Sequence, residues 1–214
     1  MCSECKYLNK YQTILFEKNK SIGYLWLNRP DILNAFNSLM LTEVLDCFRE
    51  IETMNDIDIV VISGKGKVFC AGADLNWMRD VAKYSFDENL KESLIVSDCF
   101  MAIYSCSKPT ISVVHGAAIG GANGFIAPCS FAIAEENTKF SLSEVKIGIV
   151  PACISPYLLK RMGEFFTRDL MLSGKRFSGM EAEKYRLIDR SLPENQIQDF
   201  LNVLVDSIIK NAKN

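Results

Sequence analysis

The sequence predicts an α/β domain in which right-handed crossovers join the strands. Three observations predict it. Apolar runs with strand character alternate with segments of helical periodicity. Two of the predicted strands run straight into glycine-rich loops, at Gly72 and at Gly120-Gly121. The 214 residues carry one composition throughout, 49% hydrophobic and 23% charged, which suits a domain with a sizeable core.

The elements follow in order. "TILFEKNKSIGYLWLN" reads as two strands meeting at Lys18-Asn19-Lys20, an early hairpin. "NRPDILNAFN" is a polar loop. "SLMLTEVLDCFREIETM" places apolar residues at 41, 44, 45, 48 and 51, the spacing of an amphipathic helix. "DIVVISG" is a buried strand, and "GKGKVFCAGADLNWM" is a glycine-marked loop that enters a helix. Ser85 and Glu88 form a capping box that opens a helix through about Ser105. Pro109 ends that region, and "TISVVHG" is the next buried strand.

"HGAAIGGANGFIAPCS" follows, then "FAIAEE" as a further strand. Helices are expected over 156–172 and 179–186, with a short strand near 187–191. The last segment, 194–214, reads as a helix with apolar residues at 197, 200, 201, 204, 205, 208 and 209. No repeat, low-complexity segment or linker interrupts the chain.

Composition excludes several classes. With 24 basic and 26 acidic residues the net charge is -2, so no broad basic field meets nucleic acid. The eight cysteines sit among long periodic segments, which fits reduced thiols in a cytoplasm better than a disulfide scaffold. Cys2-x-x-Cys5 is half a metal site. No second pair follows, and the only histidine, His115, is distant, so no metal is expected. "MCSECKYLNK" lacks the apolar core of a secretory signal. No charge occurs from Gly116 to Ala134, and Gly116, Gly120 and Gly124 have small-xxx-small spacing. Asn123, Pro128, Ser130 and the low hydrophobicity of glycine and alanine argue against a membrane span.

The chemistry points to the two glycine loops. Each reads as a strand, then small residues, then a helix. A helix N-terminus leaves backbone N–H groups without intrahelical partners, and small residues let a ligand approach them. Two such ends converging would form an oxyanion hole for a carbonyl that becomes an enolate. The alternative is that the small residues serve close strand–helix packing. Neither loop has the G-x-x-x-x-G-K-[ST] or G-x-G-x-x-G pattern of phosphate binding.

"FCAGADLNWM", "HGAAIGGANGFIAPCSFAIA" and "FSLSEVKIGIVPA" together resemble the enoyl-CoA hydratase/isomerase (crotonase) superfamily. "LNRPDILNAFN" is similar to its early substrate loop and "LMLSGKRFSGMEAEKYRLIDRSLP" to its later segment, so the resemblance covers about residues 11–193. Within it, "FCAGADLNWM" and "SEVKIGIVPACISPYLLKRMG" look most like the methylglutaconyl-CoA hydratase branch.

The resemblance implies the crotonase (ClpP-like) fold of repeated β-β-α units, with a core over 1–193 and the start of a shortened C-terminal helical region over 194–214. It implies a trimer or a dimer of trimers. It places the oxyanion hole on the N–H groups of Ala73 and Gly121, with Ala71 and Gly120 beside them. Asp74, Leu75 and Asn76 would flank the CoA arm, as would Asp31, Ile32 and Leu33. The substrate implied is an acyl-CoA thioester, with CoA arriving as part of it and no other cofactor.

Two-carboxylate hydratases of this family place one glutamate after the glycines, where this chain has Gly124, and a second at Glu144. One carboxylate is thus missing. Glu144 remains as the acid–base residue, and burial beside Ile147, Ile149 and Ile126 is expected to raise its pKa. A helix-start or salt-bridge role is the bland alternative for Glu144. A single glutamate also suits an enoyl-CoA isomerase, and a noncatalytic acyl-CoA-binding short form is a further alternative.

His115 is expected to bond backbone. Cys70 and Cys153 are expected near the pocket without a partner to activate them, and Trp77 and Met78 as pocket wall or core. Lys65 and Lys67 are either CoA-phosphate contacts or solvated charges. Lys160 and Arg161 are candidate cations for a distal carboxylate.

Overall fold

The computed structural model describes residues 6, 7 and 10–212; Cys2-x-x-Cys5 lies outside them. Strand β1 (Lys6–Tyr7) pairs antiparallel with β2 (Ile14–Asn19), which forms the expected hairpin with β3 (Ile22–Leu27). Lys20 makes the turn in the left-handed region, at φ 53°. A 3₁₀ turn over Pro30–Ile32 leads to helix α1 (Ser38–Thr53), whose first turn is capped by the Asn37 side chain accepting from the Met40 N–H. Strand β4 (Ile59–Gly64) precedes the short helix α2 (Leu75–Val81). The Ser85–Glu88 capping box opens helix α3 (Phe86–Tyr104) as predicted.

Strands β5 (Thr110–Val114), β6 (Ala117–Ile119), β7 (Phe131–Glu135) and β8 (Lys139–Ser141) follow, with a 3₁₀ turn over Gly120–Phe125 after β6. After a 3₁₀ turn at Glu144–Ile147 comes helix α4 (Ser155–Ser173), broken at Gly163 where φ is 73°. Strand β9 (Arg176–Phe177), helix α5 (Gly179–Lys184), strand β10 (Arg190–Leu192) and helix α6 (Glu194–Ala212) complete the order.

The main sheet runs β1-β2-β3-β4-β5-β7-β10. From β3 onward every neighbour is parallel, so the carboxyl ends of β3, β4 and β5 share one edge. One face of this sheet packs on α1, α3 and the Gly120–Phe125 turn, through residues such as Leu25, Val60, Ile62, Phe48 and Phe100. The other face carries Ile59, Val61, Ile111 and Ile133, covered by α6. All seven apolar positions read in that last segment, Ile197, Phe200, Leu201, Leu204, Val205, Ile208 and Ile209, pack there. A second, three-stranded sheet runs β6-β8-β9.

The structure corrects one expectation. The helix anticipated behind the second glycine loop is six residues of 3₁₀ turn. Glycines at 120, 121 and 124 disfavour a longer helix, and Pro128 cannot extend one. The same region is therefore no membrane span, and among the described residues no helix is long and apolar enough to cross a membrane.

Candidate active site

Three loops leave the shared carboxyl edge of β3, β4 and β5, and main-chain hydrogen bonds lace them together. The Ala71 N–H donates to the Leu33 carbonyl at 2.9 Å, the Phe36 N–H to Gly72 at 2.9 Å, and the Asp74 N–H to Phe36 at 2.8 Å. The Cys70 N–H donates to Ala117 at 3.0 Å and the Ile119 N–H to Cys70 at 3.2 Å. Asn34, fully buried with φ 54°, braces the first two loops: its side-chain oxygen accepts from the Arg29 N–H, and its amide nitrogen donates to the carbonyls of Lys65 and Val68. Sequence reading missed Asn34, whose only signal was an asparagine tolerant of the left-handed region.

The lacing turns Ala73 away from its partner Phe36, across an isolated parallel bridge. Among the described residues the Ala73 and Gly121 N–H groups have no hydrogen-bond partner. Gly121 is the second residue of its 3₁₀ turn, where no intrahelical acceptor exists. Gly120 makes the corner at φ 56°, and the Asn123 side chain, fully buried, holds its carbonyl at 2.8 Å. The Phe36 ring closes over Gly121: an ideal Cβ there would stand 2.7 Å from it.

Both donors border a cavity of about 760 Å³, within the range of small-ligand sites. Of the predicted site residues, Ala71, Ala73, Leu75, Gly120, Gly121 and Glu144 line it, and Asp31, Ile32, Leu33, Asp74 and Asn76 do not. Asp74 instead caps α2 through the Asn76 N–H and pairs with Arg29 at 3.0 Å. Ile32 and Leu33 are exposed. Trp77, Met78 and Cys153 form wall, whereas Cys70 is buried outside the lining, its thiol donating to the Asn34 carbonyl. Burial raises the Cys70 thiol to about 12 and pushes that of Cys153 up as well. Neither is an activated nucleophile at neutral pH.

Glu144 stands at the start of the 3₁₀ turn after β8. Its carboxylate lies over the glycine corner, 3.3 Å from where a Cβ on Gly120 would be. Its Oε2 is buried without a hydrogen-bond partner among the described residues. Desolvation raises its pKa above the usual carboxylate range, against a smaller opposing effect from its own N–H. Ile147 and Ile149 share the cavity with it; Ile126 does not, being packed in the core.

Gly124 faces the buried Phe100 ring, with the ring only 2.3 Å from an ideal Cβ, so no side chain fits there as the core is packed. His115 meets the Gly66 carbonyl at 3.1 Å, Lys65 stacks over Trp26, and Lys160 and Arg161 are held by Tyr104 and Asp189 away from the cavity. Sequence reading also missed Glu92 and Lys146, which line the cavity. Among the described residues no group of three or more His, Cys, Asp or Glu could hold a metal.

A family model described as enoyl-CoA hydratase/isomerase matches residues 17–214. The chain belongs to the enoyl-CoA hydratase/isomerase family. The crystal structure of an enoyl-CoA hydratase from Shewanella pealeana superposes with a TM-score of 0.90 at 34% identity, covering 94% of this chain and 75% of that one. Bacillaene synthase dehydratase PksH of Bacillus subtilis is 32% identical over 187 residues, 87% of this chain and 71% of its own length. 3-Hydroxyisobutyryl-CoA hydrolase 1 of Arabidopsis thaliana is also 32% identical over 187 residues, 86% of this chain and 49% of its own. The architecture is thus the crotonase fold.

Proposed function

We propose that the protein is an enoyl-CoA hydratase: it adds water to a 2-enoyl-CoA thioester, or removes it from a 3-hydroxyacyl-CoA. The observation that carries this reading is the juxtaposition, in one cavity, of two backbone donors and a buried Glu144 Oε2, all three without a hydrogen-bond partner among the described residues. The Ala73 and Gly121 N–H groups receive the thioester oxygen and stabilise the enolate that forms as C3 is attacked. Glu144 moves the proton at C2. Desolvation raises its pKa, which favours the protonated form that the acid of hydration requires.

Hydration is favoured over simple isomerisation by the lining. Asn89, Glu92, Ser93 and Ser143 give a water molecule polar partners that a double-bond shift does not need. CoA comes and goes with the substrate, and no separate cofactor enters the reading. Lys146 is a cation at the cavity and supports an acyl chain with a distal carboxylate, such as the methylglutaconyl group.

Loss of enoyl-thioester absorbance tests the proposal, with a short straight-chain enoyl-CoA and 3-methylglutaconyl-CoA as substrates. Glu144→Gln is expected to lower turnover by about 10²- to 10⁴-fold while acyl-CoA still binds. Turnover retained in that variant refutes the role given to Glu144.

A further inference from the structure

We propose that Glu92, on α3, is a second catalytic carboxylate of this site: it holds the water that adds to C3 and takes its proton. The inference deepens the hydratase reading and rests on it.

Asn89, Glu92, Ser93, Val96 and Phe100 recur at three- and four-residue spacing, so one face of the helix meets the cavity. Phe100 on that face fills the space beside Gly124. Two turns earlier the same face presents Glu92. The helix that blocks a carboxylate at 124 offers another one to the same cavity.

Glu92 Oε2 accepts from the Trp77 indole N–H at 3.0 Å. Trp77 packs edge-on against Phe36, with centroids 5.9 Å apart, and Phe36 is the ring over Gly121. Contacts therefore run from the carboxylate to the glycine turn that bears one oxyanion donor. The other oxygen of Glu92 has no protein partner among the described residues and can accept from water. A brace between α2 and α3 would need only an acceptor for the indole, which a glutamine also provides.

The step balances. The Glu92 carboxylate takes one proton from water as the oxygen bonds to C3. The C2=C3 electron pair shifts to leave an enolate, its negative oxygen held by the two N–H groups. Protonated Glu144 gives its proton to C2, and the thioester carbonyl re-forms. Glu92 ends protonated and Glu144 ionised, and exchange with solvent resets both. Dehydration runs the same steps backward, with Glu92 protonating the departing hydroxyl.

Two reactions of the purified full chain separate the roles. Exchange of the C2 protons of butyryl-CoA in D₂O needs the anion hole and Glu144 but has no water at C3. Hydration needs both carboxylates. Glu92→Gln is expected to lower hydration at least ~100-fold and leave exchange within about twofold of the unmodified chain. Trp77→Phe frees the carboxylate and should lower hydration less than Glu92→Gln does. Hydration by Glu92→Gln within about threefold of the unmodified chain overturns the assignment alone. So does parallel loss of exchange and hydration, which marks a structural role. Glu144-dependent exchange with no water addition by the unmodified chain overturns the hydratase reading, and Glu92's role with it.

Discussion

Gly124→Ala tests the packing that keeps a carboxylate off the turn. The added Cβ would stand 2.3 Å from Phe100 Cε2 and Cζ, about 1.1 Å inside ordinary van der Waals contact. The ring cannot swing freely, because it is fully buried and packs perpendicular to Phe125 at 5.3 Å. Overpacking of this kind costs about 1–3 kcal/mol. We expect urea denaturation to show Gly124→Ala destabilised by about 2–3 kcal/mol with an unchanged m-value. Phe100→Leu alone should cost about 1 kcal/mol, since it trades ring volume for a smaller apolar group. The double variant should recover at least about 1 kcal/mol of the sum, because removing ring atoms admits the methyl group. Strict additivity of the two changes would refute the claim that Phe100 excludes a side chain at 124.

Three further outcomes follow from Glu144 and its corner. As desolvation raises its pKa, the titration of the Glu144 carboxyl in a pH profile of kcat/KM should fall above the ordinary carboxylate range. The native state then binds more protons than the unfolded chain between the two pKa values, so stability falls as pH rises through that window. Glu144→Gln should remove that fall, as thermal unfolding at paired pH values would show. Gly120→Ala puts a non-glycine residue at φ 56° and a methyl group 3.3 Å from the Glu144 carboxylate. It should cost about 1–2 kcal/mol of stability by urea titration and lower turnover more than it raises KM.

Much of the fold was legible because it rests on local rules. The hairpin, the Ser85–Glu88 capping box and the apolar face of α6 each depend on residues a few positions apart. The small sheet was not legible. Its strands are two or three residues long and exist because loops distant in sequence pair, as Ala117–Ile119 does with Lys139–Ser141. Of the site, Ala73, Gly121 and Glu144 could be named by resemblance and do meet in one cavity. Glu92 could not be named. A polar residue inside a helix acquires meaning only when Val96 and Phe100 on the same face are seen to front a cavity. Asp31, Ile32, Leu33 and Asp74 do not line the cavity: the Asp74 side chain caps α2 and pairs with Arg29, and the main chain of Ile32 and Leu33 bonds within the loops.

The lacing of the three loops has an evolutionary consequence. Most of the bonds that aim the two N–H groups join main chain to main chain, from Ala71 to Leu33, Phe36 to Gly72, Asp74 to Phe36 and Cys70 to Ala117. Such bonds do not depend on which side chains the residues carry. Substitutions on the surrounding walls can therefore change the cavity without dismantling the frame that aims these two N–H groups. Relatives named as a hydratase, a dehydratase and a hydrolase are what a frame of that kind permits.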